Sequence, residues 1–411
     1  MPQRLNRSLA ALLLTTALAA PAMAQDITLQ SAGPLEFAPG DGQGILFVGD
    51  SLGARVVAFE LADGTLDDQV DYQLGRVETF EGRTMVDDLA AAIGDLVGAP
   101  ADQISINDMA VHPGTRQIVL SVHRGLGPDA LPFLVKVDRG TVSLLETEAL
   151  ASSAHNLTPP GETNLEFGQP AAAYAVTDVD WHDGEIFVAG VSGEDFNSTL
   201  RRVGYPFTGN GSETQIEIWH AVHAQWETRA PIIAQEIAEV NGEPTLIAVY
   251  ACTPLVRIPL ADLEDGALVR GEMIGELGYG NTPVDLVHYT NPMDGAETVL
   301  VTHTHRSANA IPLEAIGSAD PMPVEVPNNF GPAGLTGFPV PASDIRHLAM
   351  IDDAWAAAVR PDPTDPTRLQ LHSVLSPFFF DRADHMVEMN WPGSADPFGY
   401  RQFPSLSLTD G

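Results

Sequence analysis

The chain of 411 residues carries 55 acidic against 20 basic residues, a formal charge of −35 at pH 7. So negative a protein repels nucleic acid and anionic lipid, which are bound through Lys and Arg neutralising phosphate, and both partner classes are set aside. Lys136 is the only lysine, and the acidity suits a salt-tolerant surface or an attraction for cations.

Residues 1–24 present Arg4 and Arg7, an apolar run from Leu9 to Ala20, and Ala22-Met-Ala24 before Gln25. That is the plan of a cleaved secretory signal, so residues 25–411 are expected to be a periplasmic or secreted protein. No later segment reaches about 18 uninterrupted apolar residues, and no membrane insertion is expected.

Six segments then share one outline: a short strand, a turn rich in Gly, Pro, Asp or Asn, and a second apolar strand ending in a polar cluster. In chain order they are Pro34-Leu-Glu-Phe leading to Ile45-Leu-Phe-Val-Gly-Asp; Ile106-Asn-Asp-Met leading to Ile118-Val-Leu-Ser-Val-His; and Val176-Thr-Asp-Val leading to Ile186-Phe-Val-Ala-Gly-Val. Then come Pro231-Ile-Ile-Ala leading to Leu246-Ile-Ala-Val-Tyr; Pro283-Val-Asp-Leu leading to Val299-Leu-Val-Thr-His; and Ile345-Arg-His-Leu leading to Trp355-Ala-Ala-Ala-Val. Starts fall roughly 50 to 70 residues apart, near the period of four-stranded blades with added loops. Third strands follow at Phe133-Leu-Val-Lys-Val-Asp, Leu255-Val-Arg-Ile-Pro and Ala310-Ile-Pro-Leu. The convincing helical interval is Met85 to Val97, expected to decorate a loop after the first blade. The reading is an all-β chain, a single β-propeller of six or seven four-stranded blades; a seventh could lie in 60–105, 200–228 or 376–411.

In this outline the chain resembles the broad group of six- and seven-bladed propellers that includes the gluconolactonase and regucalcin type, the NHL-repeat type and the YVTN type. The resemblance implies the fold; the outline is shared by binding proteins, scaffolds, hydrolases and oxidases, so function must come from sites.

In a propeller the first strand of each blade lines the central channel, and its start lies near the end of the second strand. The third residue of the first-strand motif is Glu36, Asp108, Asp178, Ile233, Asp285 and His347 in turn. Such a ring is costly unless a cation or hydrogen bonds neutralise it, and Asp at this place also serves simply to bond neighbouring backbone. Calcium suits oxygen ligands, whereas a histidine favours a transition metal.

Second strands end in Asp50-Ser51, His123-Arg124, Ser192-Gly-Glu194, Tyr250-Ala-Cys252, His303-Thr-His305 and Arg360. Cys252 is the sole cysteine, so it forms no disulfide within its chain. With His123, His303 and His305 it makes a candidate metal set, copper favoured, because Cys and His are ligands that copper, zinc and iron accept. Tyr250, Asp108, Asp178 and Arg229 are the candidate catalytic groups for substrate and protons. The bland alternative is a buried thiol and solvated strand-end histidines.

A third cluster is Trp219-His220-Ala-Val-His223-Ala-Gln-Trp226-Glu-Thr-Arg229. After alternating Gln215-Ile-Glu-Ile-Trp it reads as extended, which puts His220 and His223 on opposite faces, with Trp226, Glu227 and Arg229 nearest the channel entrance.

There is no Gly-x-Ser-x-Gly elbow, phosphate-binding Gly-rich loop, His-Glu-x-x-His or Cys-x-x-Cys-His. Three functions remain: a copper-type oxidase or oxidoreductase built on Cys252, a lactonase-like hydrolase using a divalent ion on the carboxylate ring, and a non-catalytic propeller binding a small molecule or a protein partner. The first is preferred because an exported thiol is a liability unless buried or used. Oxidation or crosslinking of Cys252, Tyr250 or Trp226 is left open.

Overall fold

The computed structural model describes residues 27–38, 44–61, 83–127, 129–138, 140–162, 170–278, 281–304, 306–322, 332–340, 344–352, 355–362 and 364–375. The expected signal at 1–24, His305 and the stretch 376–411 lie outside them.

In chain order come β1 (Leu35–Ala38), β2 (Ile45–Asp50), β3 (Arg55–Glu60), β4 (Arg83–Val86), α1 (Leu89–Val97), β5 (Ile104–Val111), β6 (Ile118–Arg124), β7 (Leu131–Asp138), β8 (Thr141–Leu144) and β9 (Ala151–Asn156). There follow β10 (Asp178–His182), β11 (Glu185–Ser192), β12 (Asn197–Gly204), β13 (Ser212–His220), β14 (Gln225–Glu227), β15 (Ile232–Val240), β16 (Glu243–Tyr250), β17 (Pro254–Pro259) and β18 (Leu268–Glu276). The last are β19 (Pro283–Thr290), β20 (Glu297–His303), β21 (Ala308–Pro312), α2 (Leu313–Ser318), β22 (Ala333–Gly334), β23 (Phe338–Val340), β24 (His347–Met350), β25 (Trp355–Asp362) and β26 (Asp365–Leu375).

Each expected strand pair is present and antiparallel: β1–β2, β5–β6, β10–β11, β15–β16, β19–β20 and β24–β25. Among the described residues the strands form four four-stranded sheets and a ten-stranded one. The latter holds two four-stranded meanders, β10–β13 and β15–β18, joined by parallel pairing of β13 with β18. The innermost strands touch in a closed cycle, β1–β10–β15–β19–β24–β5 and back to β1. Apolar cores fill the seams between successive meanders, for example Phe187, Leu200 and Ile216 against Leu246, Tyr250 and Val256. This is why the second strands read as unbroken apolar runs: covered on both faces, they have no solvent side to make polar. The arrangement is propeller-like.

Sequence order and spatial order diverge at the ring's start. The β1–β3 meander is completed by β9, and the β24–β26 meander by β4. The whole β5–β8 sheet is thus inserted between the third and fourth strands of the first sheet, and two backbone ladders lace distant parts of the chain together.

The helix starts later than expected: Met85 belongs to β4, and Asp88 caps α1 by accepting from Ala91 N–H at 3.0 Å. Nor is it a decoration, since Leu89 and Ile93 are fully buried in the core shared by β5–β8 and β24–β26. Of the stretches held open for a seventh blade, 200–228 supplies β13 and β14 to existing sheets, and 62–82 and 376–411 lie outside the described residues. No helix among the described residues is long and apolar enough to cross a membrane.

Candidate functional site

The inner strands enclose a cavity of about 320 Å³ lined by Glu36, Asp108, Asp178, Asp180, Glu236 and Asp285. The carboxylates are tied to the ring itself. Asp108 accepts from Leu35 N–H at 2.6 Å, Asp178 from Gln235 N–H at 2.6 Å and Asp285 from Leu348 N–H at 2.6 Å, each donor lying on the next meander's inner strand. Asp180 does the same one layer deeper, to Ile237 N–H at 2.7 Å. His347 on β24 reaches the adjacent inner strand β5, its Nε2 against Ile106 carbonyl at 3.2 Å and its Nδ1 3.7 Å from Asp108.

Hydrogen bonds do not neutralise so much charge. Burial pushes Asp180 and Asp285 up to about 7; backbone amides oppose it at Asp180, while at Asp285 the charge of Asp108 adds to it. Glu36, Asp178 and Glu236 are also raised, first by burial and then by neighbouring carboxylates. Burial alone would lower His347, but the neighbouring Asp108 and Asp285 carboxylates raise it. One atom from each of Asp108, Asp285 and His347 lies within 4.8 Å of the other two, which is ligand spacing for a single cation.

Asp180 and Glu236 were missed from sequence. Asp180 stands two residues after Asp178, so strand alternation already aims both at the channel. Glu236 repeats the place of Asp180: Ala234 pairs with Val249 as Asp178 pairs with Ala189, and Glu236 stands two residues further along the strand.

The other sequence candidates scatter. His123 Nε2 accepts from Ala32 N–H at 2.9 Å, clasping the β5–β8 sheet to the first one. His303 is buried against Asn309 at 2.8 Å, and burial drives its imidazole down to about 4. Cys252 is partly buried in the β16–β17 turn. The β15 and β5 meanders stand opposite each other in the cycle, so Cys252 and His123 do not converge; second strands sit one strand out from the axis, and their ends spread around the ring. Neither metal-capable group among the described residues includes Cys252, His123 or His303. Asp108 and Asp178 line the channel, whereas the Tyr250 hydroxyl is buried in the seam toward Ser198, its pKa raised by burial. Arg229 is on an exposed turn.

The second metal-capable group is the histidine cluster, at the seam between the β10–β13 and β15–β18 meanders rather than at the channel. Residues 221–224 form a turn, with His223 N–H bonded to His220 carbonyl at 3.1 Å, and β14 folds back so that Trp219 faces Trp226. Both rings thereby reach one carboxylate: His220 Nδ1 is 2.9 Å and His223 Nδ1 2.5 Å from Glu227. Behind them His220 Nε2 faces Glu276 at 3.6 Å. Glu276 is fully buried, and its other oxygen accepts from Thr253 Oγ at 3.1 Å and Gly278 N–H at 3.3 Å. Burial alone would lower His220, but its bond to Glu227 and the nearby Glu276 carboxylate raise it to about 9; burial would raise Glu227, but both histidines hold it down at about 2. Cys252 and Thr253 enter this seam with φ of 64° and 66°, a left-handed pair that costs a non-glycine residue about 1–3 kcal/mol each and is unusual for a β-branched Thr.

No protein-family model and no curated relative matches the chain. Similar solved structures include a chain of the mitotic checkpoint complex (9% identity, 90% of this chain, 99% of that one, TM-score 0.31) and an unknown-function protein from Dyadobacter fermentans (11%, 85%, 97%, 0.32). A Trypanosoma rangeli sialidase is similar at 10% identity over 85% of this chain and 55% of its own, with a TM-score of 0.35. Likenesses this remote carry no function across, and the propeller-like reading rests on the strand pairing.

Proposed function

We propose that the protein is a six-bladed propeller that binds a hard divalent cation, calcium above all, in its central channel, and that this cation serves a lactonase-like hydrolysis of a small ester. The observation that carries the reading is the Asp108, Asp285 and His347 group, set among further carboxylates that one histidine cannot balance. Oxygen donors suit calcium, and each carboxylate oxygen keeps a lone pair beyond the one given to a backbone amide. A bound ion would orient and polarise a water as the nucleophile, and a neighbouring channel carboxylate would accept its proton as general base. Export, as residues 1–24 suggest, would bring the channel to calcium-rich surroundings. The copper-type oxidase is less favoured, because the thiol and strand-end histidines proposed for it stand on separate meanders.

Asparagine variants test this, since Asn keeps an acceptor oxygen for the next meander's amide and removes the charge, giving up at Asp108 only the local bond from Met109 N–H. Calcium titrated calorimetrically into wild-type chain should bind once per chain and raise Tm by several degrees. The double variant Asp108→Asn, Asp285→Asn should fold and lose that binding. A wild-type chain indifferent to calcium would reduce the carboxylates to interblade cement.

A further inference from the structure

The seam cluster has the make-up of a second, chemically different metal site. Its three groups grade from interior to surface: His220 is 1% exposed, the Glu227 side chain 16% and the His223 side chain 39%, so an ion can enter at one end while the other is held rigidly. The donors converge on one point because a turn and a hairpin carry them there. Trp219 and Trp226 pack edge to face at 5.6 Å beside them, and Arg270 stacks on Trp226 at 4.4 Å.

A separate observation comes from behind the cluster. His220 Nε2 and Glu276 Oε2 are both buried, face each other at 3.6 Å and have no hydrogen-bond partner. That gap is too long for a hydrogen bond. Closed by a few tenths of an ångström, it becomes the arrangement a metal-bound histidine requires: one ring nitrogen on the ion, the other donating its N–H to a buried carboxylate that fixes tautomer and ring orientation. Glu276 is itself held by Thr253 and Gly278, and at Gly278 a Cβ would lie 2.4 Å from the Arg306 guanidinium carbon, so side chain and backbone leave it little room to turn away.

We propose that His220 Nδ1, His223 Nδ1 and Glu227 bind a borderline divalent transition-metal ion, zinc or copper, with Glu276 as the positioning residue behind His220. Two imidazoles and one carboxylate leave a coordination position for water or substrate, as open sites do. In the ion's absence the same nitrogens face Glu227 through their protons, so binding exchanges protons for metal and the bond count of the cluster is kept. The site is independent of the channel, which offers mainly carboxylate oxygens, with His347 beside them, on other strands.

The test uses the full chain stripped by chelator and saturated with calcium, titrated with Zn²⁺. One Zn²⁺ per chain is expected. Glu276→Gln should weaken it about 10–100-fold, and His223→Ala, at the exposed end where folding is not at stake, should weaken it further still. Asp285→Asn should leave it unchanged. Loaded with Cu²⁺ instead, the wild type should show hyperfine coupling to two imidazole nitrogens in its paramagnetic resonance spectrum, and His223→Ala to one. Absence of saturable Zn²⁺ binding, equal affinity in His223→Ala, or an unchanged nitrogen pattern would each overturn the proposal, whatever becomes of calcium in the channel.

Discussion

The channel and the seam handle buried charge in opposite ways. In the channel, carboxylates gathered from several meanders face each other with one histidine, His347, beside them, and backbone amides take only part of the charge. In the seam, two carboxylates bracket His220 and a second histidine covers Glu227, so charges pair within one hairpin and its neighbour. Removing a charge should therefore help one region and damage the other.

The largest effect is expected from His220→Ala, which leaves Glu276 buried without its cation and Glu227 with His223 alone, and should cost about 3–5 kcal/mol in urea unfolding. A variant as stable as wild type would show that the seam is not charge-balanced as described. Thr253→Val keeps shape and left-handed backbone but removes the hydroxyl that bonds Glu276, for an expected loss of about 1–3 kcal/mol. Thr253→Gly separates the two contributions, since it removes the bond and also relieves the φ of 66°, and should unfold at higher urea than the valine variant.

In the channel the sign reverses. Asp285→Asn should stabilise the metal-free protein at pH 8 by about 1 kcal/mol or more, a few degrees in Tm. The pH dependence follows from the same groups. Asp180 and Asp285 rise from 3.8 to about 7 on folding, so the folded state holds their protons more tightly; their contribution is full below 3.8 and is lost as pH climbs through 7. His220, raised from 6.5 to about 9, contributes fully below 6.5 and loses it through 9. Thermal melts of the metal-free chain should fall in two separate pH windows, the lower flattened by Asp285→Asn and the upper by His220→Gln; a single common window would merge the two regions. The smallest effect belongs to Trp226→Ala, where losing the contact with Arg270 should cost about 0.5–1 kcal/mol.

The fold was legible where burial writes a local pattern. Doubly covered second strands leave apolar runs, and all six strand pairs follow from them. The exchange of outer strands was not legible: β4 and β9 pair with partners far away in sequence, and nothing local marks a fourth strand's destination. At the channel, equivalent positions exposed Glu36, Asp108, Asp178, Asp285 and His347, but Asp180 and Glu236 lie two residues beyond the position counted. The seam was misread for a specific reason. Ala221-Val-His-Ala224 contains no Gly, Pro, Asn or Asp, yet turns by placing Ala224 at φ 51°, so the spacing of three residues joins His220 to His223 where an extended strand would part them. Glu276, about fifty residues further on, is brought in by the parallel β13–β18 pairing.

The central claim is that this propeller sorts metals by donor chemistry, two carboxylates and one imidazole in the channel against two imidazoles and one carboxylate in the seam. Metal content of the full chain after dialysis against equal calcium and zinc tests it most directly, in wild type, in Asp108→Asn with Asp285→Asn, and in His223→Ala. The account predicts one calcium and one zinc in wild type, calcium alone lost from the first variant and zinc alone from the second; loss of neither metal, or of both together, would contradict it.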